Sequence, residues 1–194
     1  MFAPASGAVR SLFGSAIGLG EAAASQQSGP QPLCQQTFAL CTAAPCVQSP
    51  TDPNIVVCRC IVQNNGFSVG YKSCEERAPS GDTLYSDFSL ENVTSQTRSM
   101  TCNVPGGVWA NCLDVVCQRD PANPSQALCQ CVKVASDEFI TFGGNCDLST
   151  CATVIWSAAS PDLISGSGSQ YISQMQAANR QVTLPANCPT PKAT

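Results

Sequence analysis

The residues of this chain best suited to chemistry are its cysteines, which can form disulfides or bind a metal as thiolates. The chain of 194 residues has 14 of them, and four recur at a constant offset of 71 residues. The first four are Cys41, Cys46, Cys58 and Cys60, and the later four are Cys112, Cys117, Cys129 and Cys131. An offset that is kept across two intervening segments indicates that one unit was duplicated.

Four further cysteines flank these two clusters. They are Cys34, Cys74, Cys102 and Cys146. We therefore predict two tandem six-cysteine modules, 34–74 and 102–146, in a mostly β, small disulfide-rich fold with one short helix near the C-terminus. The intervening residues, 75–101, are expected to form a linker that contains one strand.

The cysteines are better explained by disulfides than by a metal. Their number is even, and once a signal peptide is removed their content approaches the roughly 8–10% typical of disulfide scaffolds. The Cys-x-Cys spacing is tighter than a usual zinc knuckle, and six cysteines per module exceed the four ligands of a tetrahedral site. We expect fourteen structural disulfide cysteines and no cofactor. A cysteine-only metal-binding protein of a reducing compartment remains the alternative.

The position of the strands predicts which cysteines pair. Residues 55–62 are rich in β-branched side chains, so we expect a strand that carries Cys58 and Cys60 on one face. Neighbours on one face of a strand are poorly placed to bond each other, so each needs a partner elsewhere. A turn at 49–54 folds the earlier cysteines back toward them. The predicted pairs are Cys46–Cys58, Cys41–Cys60 and Cys34–Cys74. The equivalent later strand is 127–134.

The chain has no histidine, which excludes His-dependent hydrolases and the commonest zinc enzymes. Residues 66–70 match the Gly-x-Ser-x-Gly motif of serine hydrolases, but without a histidine base we expect hairpin and strand there. A glycosidase would need two carboxylates from separate segments, roughly 5–9 Å apart. The candidates are Glu76, Asp87, Asp114 and Glu138. We assign no catalytic residue, and a carboxylate-based hydrolase of carbohydrate or cell-wall polymer remains an alternative.

Charge and hydropathy limit the partners. Only 11% of residues are charged, and the net charge is −4 with no basic stripe, so we expect no nucleic-acid partner. No apolar run reaches the roughly 18 residues of a membrane span. The surface should consist mainly of neutral polar side chains. We expect the partner to be a protein or a polysaccharide surface.

The two ends of the chain carry further expectations. Residues 1–24 resemble a weak signal peptide, with an amphipathic or disordered N-terminus as the alternative, and 25–33 should be a flexible lead-in. Cys151 and Cys188 should bond to each other and hold the C-terminal segment, 147–194. A helix of about three turns is predicted there from one apolar stripe, which should dock on a module. The stripe is formed by Tyr171, Ile172, Met175 and Ala178.

An aromatic residue precedes each cluster by three positions, Phe38 before Cys41 and Trp109 before Cys112. We expect both rings to be core rather than ligand platforms. Asn92 begins an Asn-x-Thr sequence that is a glycosylation site only in a eukaryotic host.

Several motifs together resemble a family of small cysteine-rich exported proteins of bacteria. They are Cys41-Thr-Ala-Ala-Pro-Cys46, Gly66-Phe-Ser-Val-Gly-Tyr71, Val108-Trp-Ala-Asn-Cys112 and Ile140-Thr-Phe-Gly-Gly-Asn-Cys146. The resemblance covers most of the chain after residue 33. It implies export and disulfides, and it implies no activity or catalytic residue.

These expectations combine into one functional prediction. We expect a secreted, periplasmic or cell-surface protein with a non-catalytic structural or interaction role. The segments 34–41 and 102–112 differ in length between the modules, so we expect loops there in which the modules differ in binding.

Overall fold

A computed structural model describes residues 29–189, and the predicted signal peptide, 1–24, lies outside the described residues. The strands are β1 (Leu33–Leu40), β2 (Pro45–Gln48), β3 (Ile55–Val69), β4 (Thr83–Asp87), β5 (Arg98–Asn103), β6 (Val108–Asn111), β7 (Val116–Asp120), β8 (Asn123–Ala135), β9 (Glu138–Thr141), β10 (Ile155–Trp156) and β11 (Ala186–Asn187). A 3-10 turn spans Gly144–Cys146, and the α-helices are α1 (Thr150–Thr153) and α2 (Pro161–Ala177). The mostly β fold predicted from the sequence is confirmed.

The strands of the main sheet close into a ring. β3 and β8 run antiparallel at its centre, with β1 and β2 along the other edge of β3 and with β6 and β7 along the other edge of β8. β4 pairs with both β1 and β7 and so joins the two outer edges. β10 pairs with β2, and the following residue, Ser157, bridges to β6. The ring therefore has an interior that is shielded from solvent.

The cysteine faces of β3 and β8 form the interior of this ring. On β3 the residues Val56, Cys58 and Cys60 are buried, whereas Arg59 and Ile61 between and beyond them are exposed. The alternation follows from the two-residue side-chain period of a strand. The interior is consequently filled by sulfur and small apolar side chains.

Phe38 and Trp109 are both core residues, as predicted, with exposed fractions of 0% and 4%. Trp109 packs with Met100, Cys102 and Phe139. Its ring N–H donates to Ser136 Oγ at 2.8 Å, so the indole is satisfied without a ligand. These residues connect the ring to a second sheet, in which β5 lies between β9 and β11.

Helix α2 begins earlier than its apolar stripe predicted. Ser160 caps it by accepting from Leu163 N at 3.2 Å, and Pro161 occupies the first turn. Tyr171 and Met175 are buried against the ring, as expected from the stripe, whereas Ala178 is the exposed C-terminal cap. The Ser-Gly run at 165–169 lies inside the helix because small side chains permit close packing there. No helix among the described residues is long and apolar enough to cross a membrane.

Three expectations for the connecting segments differ from the structure. The described part of the lead-in, 29–33, is docked on α2, where Gln31 is 2% exposed and bonds to Ser167 Oγ and Gln170 Oε1. Residues 34–41 lie in β1 and its end rather than in a loop. The linker 75–101 contributes β4 to the ring and also the start of β5. In each case tertiary pairing gives a partner to backbone that composition marked as loop.

Candidate functional site

Four disulfides fill the interior of the ring. Two span 19 residues, and two span 12. The former are Cys41–Cys60 and Cys112–Cys131, and the latter are Cys46–Cys58 and Cys117–Cys129. Each half of this set contacts the other, because Cys41 Sγ lies 3.6 Å from Cys129 Sγ and Cys112 Sγ lies 3.4 Å from Cys58 Sγ. The four bridges therefore form one packed sulfur core.

The strand register relates the two halves by a local two-fold axis. Cys58 stands directly opposite Cys129, its counterpart at the 71-residue offset. On either side, Val56 faces Cys131 and Cys60 faces Ala127, and each of these pairs becomes the other under the same offset. The sulfur contacts across the ring obey the same exchange.

The pairings predicted for the first cluster are the ones found, and they include Cys34–Cys74. The predicted Cys151–Cys188 bridge is wrong, since the structure has Cys102–Cys151 and Cys146–Cys188 instead. Cys102 lies on β5 in the second sheet, where α1 presents Cys151 to it. Strand β11, also paired with β5, brings Cys188 to Cys146. The C-terminal segment is therefore bonded to the second module at two points.

Two groups of buried sulfur atoms have spacings that could suit a metal ion. Within each group the Sγ atoms lie within 4.8 Å of one another. The groups are Cys41, Cys60 and Cys129, and Cys58, Cys112 and Cys131. All fourteen cysteines fall within the described residues, and every one is in a disulfide. A disulfide sulfur is not a thiolate, so in this state these atoms lack the charge that a metal ligand needs.

A buried charge cluster lies at one end of the ring. Arg77 Nη1 donates to Asp87 Oδ2 at 2.7 Å, and both side chains are fully buried. Arg77 also donates from Nε to Lys72 O at 3.0 Å. The same carboxylate oxygen of Asp87 accepts from Ser68 Oγ at 2.7 Å. Ser68, the serine of the Gly-x-Ser-x-Gly match, is thus a buried residue of β3, as predicted, and its hydroxyl supports a carboxylate.

Asp114 is the second carboxylate of this cluster. It accepts from Tyr71 N at 2.7 Å, and an ideal Cβ on Gly70 would lie 2.4 Å from its Oδ1. Burial raises the pKa of Asp87 to about 6, against the opposing effects of Arg77 and Ser68, and burial also raises the pKa of Asp114. The Oδ1 atoms of both residues are buried without a hydrogen-bond partner. The cluster is therefore electrostatically costly and tightly packed.

The four candidate carboxylates do not form a catalytic pair in an open site. Asp87 and Asp114 come together but are buried, whereas Glu76 and Glu138 are exposed on other elements. A bond from Ser73 N lowers the pKa of Glu76, so it is poorly suited to act as an acid. Of the principal cavities in residues 29–189, one reaches Asp87, and none reaches two of the four. The geometry of a glycosidase is not met there.

The structure also forms a groove that the sequence gave no means to find. It has a volume of about 440 Å³ and combines residues from the β1–β2 turn, the β4–β5 connection and the 3-10 turn. Its polar lining is largely neutral, with Thr42, Asn92, Thr94, Gln96, Thr97 and Asn145. Arg98 also lines it, but its guanidinium donates to Ser95 O and Thr97 O. We call this feature the neutral groove.

Comparison with models of protein families, with curated proteins and with solved structures gives no match to this chain. The sulfur core, the charge cluster and the neutral groove are therefore the features that bear on function. Arg77 was not predicted, because an isolated arginine in a turn-rich segment has no pattern that distinguishes it from a surface residue.

Proposed function

We propose that this protein is an exported, non-catalytic interaction protein built on a duplicated disulfide scaffold. The observation that carries the proposal is the sulfur core, in which four bridges from two clusters pack together inside one closed sheet. Each bridge typically contributes about 2–4 kcal/mol of stability by restricting the unfolded chain. Such cross-linking suits a rigid platform that must persist outside the cell.

Export is supported by the chemistry of the cysteines. Seven disulfides with no free thiol among the described residues require an oxidising environment, which secreted and periplasmic proteins meet. The signal-like segment 1–24 and the resemblance to exported bacterial proteins agree with this proposal. We accordingly propose a secreted, periplasmic or cell-surface location.

Duplication is supported by geometry as well as by the cysteine offset. The two 19-residue bridges both have Cα atoms 4.7 Å apart, and the two 12-residue bridges have separations of 4.1 and 4.2 Å. β4 and β10 also occupy corresponding places. Leu84 pairs with Cys117, and Ile155, 71 residues later, pairs with Cys46, 71 residues earlier. One ancestral unit that repeats in the chain explains these coincidences together.

The neutral groove is the surface that we propose for the partner. Hydroxyl and amide side chains can both donate and accept hydrogen bonds, so they suit uncharged ligands rich in the same groups, such as a polysaccharide. The groove has no carboxylate in its lining. We therefore propose binding of a neutral polymer without hydrolysis.

Intact mass spectrometry of the natively purified protein, with and without reduction, tests the scaffold. We expect reduction to add about 14 Da, at roughly 2 Da for each of seven bridges, and no alkylation before reduction. Free thiols that appear only after chelation would overturn the scaffold and would favour the metal-binding alternative.

Binding to insoluble polysaccharides tests the groove separately. Asn92→Ala combined with Gln96→Ala should reduce binding at least about tenfold, because two amide contacts are lost. The matched control is Thr51→Ala in the exposed β2–β3 turn, which should bind as the parent protein does. Equal binding by both variants, or release of soluble sugar by the parent protein, would contradict the proposed role of the groove.

A further inference from the structure

One disulfide contacts the charge cluster directly. Arg77 Nη2 lies 2.7 Å from Cys34 Sγ, and Cys34 is bonded to Cys74. The same nitrogen donates to Pro32 O at 2.8 Å, which fixes the guanidinium against the sulfur. A neutral disulfide sulfur gains little from a full positive charge, whereas a thiolate gains much. The arrangement is therefore better suited to the state in which this bridge is open.

The two sulfur atoms of this bridge differ in their access to solvent. Cys34 is 3% exposed, whereas Cys74 is only partly buried and lies in the exposed segment that follows β3. An external thiolate can therefore approach Cys74 and not Cys34. The leaving sulfur is then the one that Arg77 contacts.

We propose that Cys34–Cys74 is a thiol-exchange site, at which Cys74 accepts an external thiolate and Arg77 stabilises Cys34 as the leaving thiolate. The attacking thiolate forms an S–S bond with Cys74 Sγ while the Cys34–Cys74 bond breaks, and its electron pair leaves on Cys34 Sγ. Disulfide count and charge are conserved, because one thiolate is consumed and one is released. The reverse attack by Cys34 on the mixed disulfide restores the bridge and expels the external thiolate.

The surrounding charges allow a new thiolate in this place. Arg77 faces Asp87, Asp114 and Lys72 within the cluster. Burial holds Asp87 with a pKa of about 6, so this carboxyl takes up a proton more readily than an exposed aspartate when a second anion forms beside it. Proton uptake by Asp87 would leave the guanidinium free to pair with Cys34.

The chain contains a matched control in Cys146–Cys188. Both of its cysteines are only partly buried, so it is at least as open to an external thiol as Cys34–Cys74. Among the described residues, neither of its sulfur atoms has a charged side chain within hydrogen-bond distance. Access alone therefore predicts that the control bridge opens first, and cationic stabilisation predicts that Cys34–Cys74 opens first.

The test treats the full folded chain with reduced glutathione, followed by acid quench, alkylation and peptide mass spectrometry. We expect glutathione on Cys74 and the alkyl label on Cys34, and a rate at least about tenfold above that of Cys146–Cys188. Equal or faster opening of the control bridge would overturn the proposal. Glutathione on Cys34, or simultaneous opening of all seven bridges, would do the same.

Variants separate the cation from general loosening of the structure. Arg77→Lys keeps the charge and should retain fast opening, whereas Arg77→Met should slow it to the control rate. Should Arg77→Met fail to fold, Cys74→Ser provides a second measurement, because it leaves Cys34 as a single free thiol. Its thiolate absorbance should then titrate below the ordinary thiol pKa of about 8.5. Titration at or above that value would overturn the role of Arg77.

Discussion

The two modules share a sulfur core but close their ends by different means. In the first, Cys34–Cys74 and the buried Arg77–Asp87 pair tie the start of β1 to the segment after β3. In the second, Cys102–Cys151 and Cys146–Cys188 reach out to the C-terminal segment. The core arrangement is therefore independent of how each end is closed.

The charge cluster belongs to the first module alone. The residues 71 positions away from Asp87 and Asp114 are Ala158 and Ala43, which lie at corresponding places after β10 and in the β1–β2 turn. Two small apolar residues thus replace two buried carboxylates without disturbing the disulfides. This difference indicates that the ring does not need the charges in order to fold, and it points to a local role for them.

The largest expected effect comes from breaking the ion pair. Arg77→Met should lower the free energy of unfolding by about 3–5 kcal/mol, because it leaves Asp87 buried without a counter-charge. Leu148 lies 71 residues later and is 43% exposed, so Leu148→Met should change it by less than about 0.5 kcal/mol. Denaturant unfolding of both variants checks the difference, and equal losses would remove the proposed asymmetry.

Removing corresponding bridges of the core should give matching losses. The double substitution Cys46→Ala with Cys58→Ala should cost about 3 kcal/mol, as expected for a short closed loop. The counterpart, Cys117→Ala with Cys129→Ala, should agree with it to within about 0.5 kcal/mol. Thermal and denaturant unfolding measure both. A large disparity would show that the two halves of the core are not energetically equivalent.

The pH dependence of stability should also distinguish the modules. Because the folded pKa of Asp87 is raised to about 6, the folded state keeps a proton that the unfolded chain has already lost. This group therefore stabilises the fold below about pH 4, and that contribution is lost as pH rises toward 6. The loss is at most about 3 kcal/mol, at roughly 1.4 kcal/mol per pKa unit.

Asp87→Asn isolates this contribution. The stability of the parent protein relative to the variant should fall between pH 4 and 6 and remain constant above that range. The control, Asp82→Asn, changes a carboxylate that is 81% exposed and should show no such trend. A parent advantage that grows with rising pH would reverse the sign and contradict a raised pKa.

The smallest effect concerns the backbone against which Asp114 packs. Gly70→Ala should destabilise by about 1–3 kcal/mol, because a Cβ would meet Asp114 Oδ1. Gly166→Ala in α2 meets no atom within 4 Å and should stabilise by about 0.5–1 kcal/mol. Calorimetry of the two variants gives the comparison. A neutral Gly70→Ala would mean that the cluster can move aside.

Local patterns predicted much of the first module. The alternation along β3 indicated that Cys58 and Cys60 share a face, and the turn before it indicated which cysteines return to them. Hairpin geometry links such residues over short loops, so their spacing is enough. The start of α2 was missed because its Ser-Gly run has low helix propensity, which the contacts of Ser167 and Tyr171 override.

The sequence by itself determined the strands, the pairings within the first module and the absence of histidine chemistry, because these depend on residue type and near-neighbour spacing. Only the tertiary structure decided that Cys58 faces Cys129 and that Cys102 and Cys146 bond to the C-terminal segment. It also decided that Arg77 lies against Cys34 rather than in solvent. Such contacts join residues far apart in the chain, so they depend on how whole strands pack.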